Sequence, residues 1–169
     1  MSNNNLTIRE IELKDLDAVL RWRNDPAIRR YMLTQHEIAV DEHAQWFESI
    51  QHNSNKHVLI VQESQIPFGL VHFTKLNKDE VMDWGFYVNP SATKGSGMKL
   101  AKLALDFAFI QKKWPKVCGN VLFINFSSRR FHLKLGFKLE GVLREQVHIN
   151  NEWLSLWCFG LLASEWNPL

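Results

Sequence analysis

The apolar positions of this chain switch repeatedly between a period of two and a period near 3.6. Leu6-Thr7-Ile8-Arg9-Glu10-Ile11 alternates as a first strand. Asp15 to Arg23 carries Leu16, Val19 and Leu20 on one face and reads as a helix. Pro26 stops it, because the residue before a proline avoids helical dihedrals. A second helix is expected over Asp41 to Ile50, with Trp46, Phe47 and Ile50 as its apolar face and His43 one turn earlier on the same side. His57 to Gln62 and Pro67 to Lys75 read as strands around a turn at Ser64-Gln65. In the second of these, Leu70, His72 and Thr74 face one way, and Val71 and Phe73 the other. Asn77-Lys78-Asp79 leads into a strand in which Met82, Trp84, Phe86 and Val88 share one face, and Asp83, Gly85 and Tyr87 the opposite one.

After a turn at Asn89-Pro90, the stretch Thr93-Lys94-Gly95-Ser96-Gly97-Met98-Lys99 opens a helix running to about Ile110. Leu100, Leu103, Ala104, Phe107 and Ile110 form its expected stripe, and Trp114-Pro115 breaks it. Val117 to Phe123 is a strand. A serine of Ser127-Ser128 is the expected N-cap of a short helix, Arg129 to Leu135, that stops at Gly136. Phe137 to Leu139 and Trp153 to Leu162 are expected as the closing strands, joined through Arg144–Ile149, with a turn at Asn150-Asn151. The sequence shows no repeat, low-complexity segment or linker, so residues 1–169 are expected to form a single domain.

Strand, glycine-bearing loop and helix in that order place backbone N–H groups at a helix N-terminus. That suits an anion, and Lys94 and Lys99 add positive charge on either side. A plain turn before a helix has the same pattern. No Gly-Lys-Ser/Thr closes the loop, which excludes a P-loop, and no acidic residue follows at dinucleotide spacing. The segment from Trp22-Arg23-Asn24-Asp25-Pro26 to Arg29-Arg30-Tyr31-Met32 is charged and aromatic. It reads either as a solvated connection or as a substrate-facing loop with arginines for phosphate.

Composition narrows the class. With 46% hydrophobic and 22% charged residues the chain has a globular balance, and a net charge of +2 is too mild to point to nucleic acid. No apolar run is long enough to cross a membrane. Met1-Ser2-Asn3-Asn4-Asn5 lacks a signal-peptide pattern, and Cys118 and Cys158 read as buried thiols; a cytoplasmic protein is expected. No metal-ligand spacing is present, so no metal is expected.

Two motifs together carry a resemblance: Ala92-Thr93-Lys94-Gly95-Ser96-Gly97, and later Phe131-His132-Leu133-Lys134-Leu135-Gly136-Phe137 after Asn125. The chain resembles the GNAT superfamily of N-acetyltransferases over nearly its whole length. Trp22-Arg23-Asn24, Met32, His43…Trp46-Phe47, Gly69…Phe73-Thr74-Lys75 and Gly85-Phe86-Tyr87-Val88-Asn89-Pro90 make it similar in particular to the PseH-type acetyltransferases of pseudaminic acid biosynthesis. Leu139-Glu140-Gly141-Val142-Leu143-Arg144 is shared with RimJ/RimL-like protein N-terminal acetyltransferases.

The resemblance implies an α+β fold: a mixed, largely antiparallel sheet of about seven strands and about four helices, with strands 4 and 5 splayed. It implies acetyl-CoA as co-substrate, held by Phe86, Tyr87, Val88, Lys94, Gly95, Ser96, Gly97, Met98, Asn125, Phe131 and Lys134. The implied acceptor is the 4-amino group of a UDP-linked 4-amino-4,6-dideoxy-N-acetyl-altrosamine, met by Trp22, Arg23, Asn24, Arg30, Met32, His43, Thr74 and Lys75. A protein N-terminus is the alternative acceptor, and a catalytically silent acyl-CoA sensor the alternative role. A monomer or homodimer is expected, with neither nucleic acid nor membrane as partner. His132 stands where the family usually has a tyrosine that protonates the departing thiolate, so His132, or else Tyr87, is the expected acid. His72 and Asp83 are the candidate bases. Ala92 stands where the family has Arg or Gln.

Overall fold

In the computed structural model, which describes residues 5–168, seven strands form one mixed sheet. The strands are β1 (Leu6–Glu10), β2 (Lys56–Glu63), β3 (Ile66–Lys75), β4 (Met82–Val88), β5 (Lys116–Leu122), β6 (Lys138–Ile149) and β7 (Glu152–Leu162), in spatial order β1-β2-β3-β4-β5-β7-β6. Every neighbouring pair is antiparallel except β4 and β5. Five helices flank the sheet: α1 (Leu16–Asn24), the one-turn α2 (Pro26–Arg29), α3 (Val40–Gln51), α4 (Ser96–Asp106) and α5 (Phe126–Lys134). No helix among the described residues is long and apolar enough to cross a membrane. The Met1–Asn4 part of the N-terminal stretch lies outside the described residues.

The alternation along β3 and β4 divides the core in two. Val71, Phe73, Met82 and Trp84 face α4 and join Leu100, Ala104 and Leu105 in the larger cluster. On the other face, Val58, Ile60 and Leu70 pack with Val19, Trp22 and Ile50 from α1 and α3. The hairpin residues Ser64-Gln65 and Asn150-Asn151 all have positive φ, as a type I′ turn requires.

Four expectations are corrected. The buried face of α4 is Leu100, Ala101, Ala104 and Leu105, continued by Ala108 and Phe109, whereas Leu103 and Phe107 are half-buried and Ile110 is 53% exposed. The reason lies past Asp106, where Lys112 N–H bonds to Phe107 C=O and the chain makes a π turn. A wider turn rotates Ile110 away from a stripe extrapolated at 3.6 residues. Next, Arg144–Ile149 is not a connection but part of β6, which runs unbroken to Ile149. Register shifts between Leu139 and Gly141 and between Leu143 and Val147 break its alternation. Thirdly, Asn125, not a serine, caps α5: its side-chain oxygen accepts from Ser128 N–H at 3.0 Å. Finally, Cys118 and Cys158 are free but only half-buried. Burial raises both thiols above their ordinary value.

One buried charge ties β1 to the start of α1. The Asp15 carboxylate accepts from both Arg9 Nη atoms (2.7 and 2.8 Å) and from Glu12 N–H (2.9 Å). Burial pushes its pKa up, but the hydrogen bonds from Arg9 and Glu12 outweigh this and hold it below the usual value. A depressed folded pKa gives stability that is present above the unfolded pKa and lost as pH falls through the folded one. Asp15→Asn is therefore expected to cost about 2 kcal/mol near neutrality. The difference in melting temperature should shrink as pH falls below about 4; a constant difference would contradict the assignment.

Candidate active site

β4 and β5 pair only at Met82↔Val117 and Asp83↔Cys118. Beyond Asp83 they diverge, and the β5-facing backbone groups of β4 find no strand partner there. A cleft of about 840 Å³ opens at this divergence and continues under α1, α2 and α3. One side is walled by Phe86, Val88, Gly97, Asn125, Ser128, Phe131 and His132. The opposite side carries His72, Asp83 and Tyr87 from the sheet, with Arg23, Tyr31, Met32, Glu42, His43 and Trp46 from the helical layer.

At the first side, Gly95 (φ +96°) caps α4 with no side-chain hydrogen bond. A left-handed backbone there favours glycine. No heavy atom lies within 4 Å of where a Cβ on Gly95 would stand, so the approach to the helix N-terminus is open. A Cβ on Gly97 would come within 3.9 Å of Phe131 and 4.0 Å of Val88, which places this glycine at the junction of β4, α4 and α5. N–H groups converging with a positive helix end can hold an anion. Of the loop, only Gly97 reaches the cleft. Lys94 is exposed, Ser96 is buried with its hydroxyl 3.2 Å from that of Thr93, and Met98 packs on the core. Lys99 does not add free charge, because its ammonium donates to both Glu63 oxygens at 2.8 and 3.0 Å. Lys134 is exposed and does not line the cleft. Asn125 uses its carbonyl oxygen as the helix cap, leaving its NH₂ as a donor beside the slot.

A slot between diverging strands, ending at an open helix N-terminus, suits a thin chain with an anionic end. Residues 5–138 match the acetyltransferase (GNAT) domain family. The chain belongs to the GNAT acetyltransferase family. It is 26% identical over 165 residues to the uncharacterised N-acetyltransferase YnaD of Bacillus subtilis, with 96% of each chain covered. Likeness to the acetyltransferase PseH of Campylobacter jejuni is partial: 30% over 101 residues, 59% of this chain and 62% of that one. The spermidine N-acetyltransferase of Vibrio cholerae, crystallised with CoA and spermine, shares the fold with a TM-score of 0.86 at 24% identity, covering 95% and 96% of the two chains. GNAT acetyltransferases use acetyl-CoA, and Gly97, Asn125 and Phe131 line the cleft of this GNAT enzyme.

His132 is buried, at 3% exposure, and both of its ring nitrogens are engaged. Nε2 lies 3.1 Å from Trp84 Nε1, and Nδ1 lies 2.8 Å from Ser128 C=O and 3.4 Å from the Ser128 hydroxyl. Indole N–H only donates and a carbonyl only accepts, so the ring is neutral with its proton on Nδ1. Burial lowers its pKa further, against the opposing Ser128 bond. The acid role implied for His132 by its place in the motif therefore meets a ring whose one proton is already committed to the backbone.

On the opposite face Asp83, His72 and Tyr87 follow one another. His72 pairs with Gly85 across the β3–β4 ladder, and its ring occupies the space a Cβ on Gly85 would need. Burial, with Lys56 adding to it, drives His72 down to about 4, so it is neutral near pH 7. Burial pushes Asp83 up to about 6. Asn120 on β5 faces Asp83 across the opening, its amide 3.4 Å from Oδ1. Burial raises Tyr87 well above its ordinary value, against a weaker pull from Arg23, so it stays a neutral phenol.

Among the expected acceptor residues, Arg23, Met32 and His43 line the cleft. Arg23 Nη2 donates to Thr34 C=O at 2.7 Å, while Nη1 is buried with no partner among the described residues. His43 stacks on Trp46 at 4.9 Å. The other expected contacts lie outside the cleft. Trp22 belongs to the core, and Asn24 exchanges two hydrogen bonds with the Ile38 backbone. Arg30 is exposed over Tyr31, while Thr74, paired with Asp83, and Lys75, 3.8 Å from Glu80, end β3 without lining the cleft. Tyr31, part of the segment read as a possible substrate-facing loop, lines the cleft, whereas sequence reasoning missed Glu42, Asn120 and Ser128 as lining residues. For Asn120 a signal existed: a lone amide inside the apolar run Val117–Leu122.

Proposed function

We propose that this GNAT enzyme acetylates the amino group of a small acceptor bearing phosphate. The 4-amino group of a UDP-linked 4-amino-4,6-dideoxy-N-acetyl-altrosamine is the leading candidate. The observation that supports this is Arg23: a buried, unpaired Nη1 in the cleft wall, beside the flat rings of Tyr31, His43 and Trp46. An unpaired guanidinium N–H favours a phosphate or carboxylate partner and disfavours a polycation. The polyamine reading draws on the name of the Vibrio cholerae relative and on Glu42 and Asp83 in the same cleft. Glu42, however, is engaged by His36 Nε2 at 3.0 Å from both carboxylate oxygens.

In the reaction the acceptor nitrogen bonds to the thioester carbonyl carbon, loses a proton, and the C–S bond breaks. Asp83, ionised above about pH 6, takes that proton directly or through water. Unpaired N–H groups of β4 beyond Asp83 face the carbonyl oxygen as it gains charge.

Mass spectrometry of UDP-amino-sugars, spermidine and N-terminal peptides incubated with acetyl-CoA tests the acceptor. Acetylation of spermidine or of peptides, with none of the sugar, would overturn the reading. Arg23→Ala should raise KM for the sugar nucleotide by about tenfold to a hundredfold, the size of one charged hydrogen bond. The KM for acetyl-CoA should stay within about twofold. Equal loss on both substrates would remove Arg23 from the acceptor site.

A further inference from the structure

His132 sits where the two strands part. Met82 and Val117 are the last core-facing pair held by the ladder; the next residues on that face are Trp84 and Gly119. The His132 ring enters from α5 into the gap between them. A Cβ on Gly119 would stand 2.7 Å from His132 Nε2 and 2.8 Å from Trp84 Nε1. The indole-to-imidazole hydrogen bond therefore passes directly over the bare backbone of Gly119. Phe137 and Phe159 pack on the same ring, with centroids 5.1 and 5.2 Å away.

We propose that His132 is a positioning residue, a neutral strut that sets the separation of the two walls of the donor slot. Its Nε2 holds β4 through Trp84, and its Nδ1–H holds the first turn of α5 through Ser128 C=O. Those are the elements that bring Phe86 and Val88 from β4, and Asn125 and Phe131 from α5, to the donor side of the cleft, where the Phe86 and Phe131 ring centroids lie 5.5 Å apart. The ring needs an acceptor at Nε2, not a mobile proton. What leaves with the thiol sulfur is then protonated from elsewhere, by solvent or by the Tyr87 phenol.

The inference rests on family membership and the donor slot alone, so it stands or falls separately from the choice of acceptor. A glutamine at this position can accept from the indole but cannot act as an acid. A tyrosine can act as an acid, but it is longer and must fit over Gly119 beneath Trp84. Titration calorimetry of acetyl-CoA needs no acceptor. Affinity should fall by about tenfold to a hundredfold in His132→Phe, which strands the indole N–H, and by less than about fivefold in His132→Gln. His132→Tyr should not recover it. With whichever amine the acceptor screen identifies, His132→Gln should turn over faster than His132→Tyr. Nitrogen NMR of the wild-type imidazole, which requires no variant to fold, should show Nδ1 protonated and Nε2 bare across about pH 6 to 8. The proposal is overturned if acetyl-CoA affinity is equal in all four proteins while turnover survives in Tyr and vanishes in Gln. An imidazolium that titrates within that pH range would overturn it as well.

Discussion

Asp83→Asn is expected to lower kcat by about 10²–10⁴-fold, the usual contribution of a general base, while leaving acetyl-CoA affinity nearly intact. The side chain is suited to that work by position and by charge. It is the last β4 residue paired to β5, so it stands at the mouth of the opening, and Asn120 faces it from the other strand. Burial raises it to about 6, which makes it a stronger base than an exposed carboxylate. His72 is the competing base, but burial drops it to about 4, and a group that weakly basic accepts a proton less readily. The pH profile follows with a definite sign: the base must be ionised, so kcat should rise with pH through about 6 and level off above it. Asparagine keeps the shape and can still accept from Asn120, so the variant should fold. A variant that retains wild-type kcat and its acid limb would transfer the role to His72 or to solvent.

Gly97→Asp should abolish the stabilisation that acetyl-CoA gives the wild-type protein. A ligand that binds only the folded state at a hundred times its Kd adds about 2.7 kcal/mol. For a chain of this size that corresponds to a rise in Tm of roughly 5–10 °C. The substituted carboxylate would lie among the N–H groups at the start of α4, where it satisfies them and repels a second anion. Gly97→Ala separates charge from bulk, because a Cβ there meets nothing closer than 3.9 Å. Alanine should keep most of the shift and aspartate should lose it. Equal shifts in both variants would place the anionic end of acetyl-CoA elsewhere.

What could be read from the sequence was what depends on short range. The two faces of β3 and β4 follow from strict alternation, and the order of strand, loop and helix points to Gly97, while Asn125 and Phe131 come from the family resemblance; all three line one opening. The misplacements share a cause, in that each depended on an irregularity or on a distant partner. The register shifts of β6 and the π turn after α4 break the periods by which strands and helices are recognised. Asn125 and the two serines after it are all good caps, and only geometry chooses among them. His132 is assigned as an acid from its place in a family motif, whereas its Nε2 is engaged by Trp84, 48 residues earlier. Trp22 and Asn24 are assigned to the acceptor through the family resemblance, which does not say which way a side chain turns: Trp22 turns into the core and Asn24 to the Ile38 backbone.

The two-residue pairing of β4 and β5 also bears on how the protein avoids sticking to itself. A sheet ordinarily has two outer edges, and any exposed edge invites a strand from another molecule. By parting in the middle, this sheet acquires two more edges, both with unsatisfied backbone groups. They lie inside a crevice between α5 on one side and the helical layer of α1–α3 on the other. A strand from another molecule meets those helices before it meets the inner edges, so the backbone groups between them are shielded from edge-to-edge pairing.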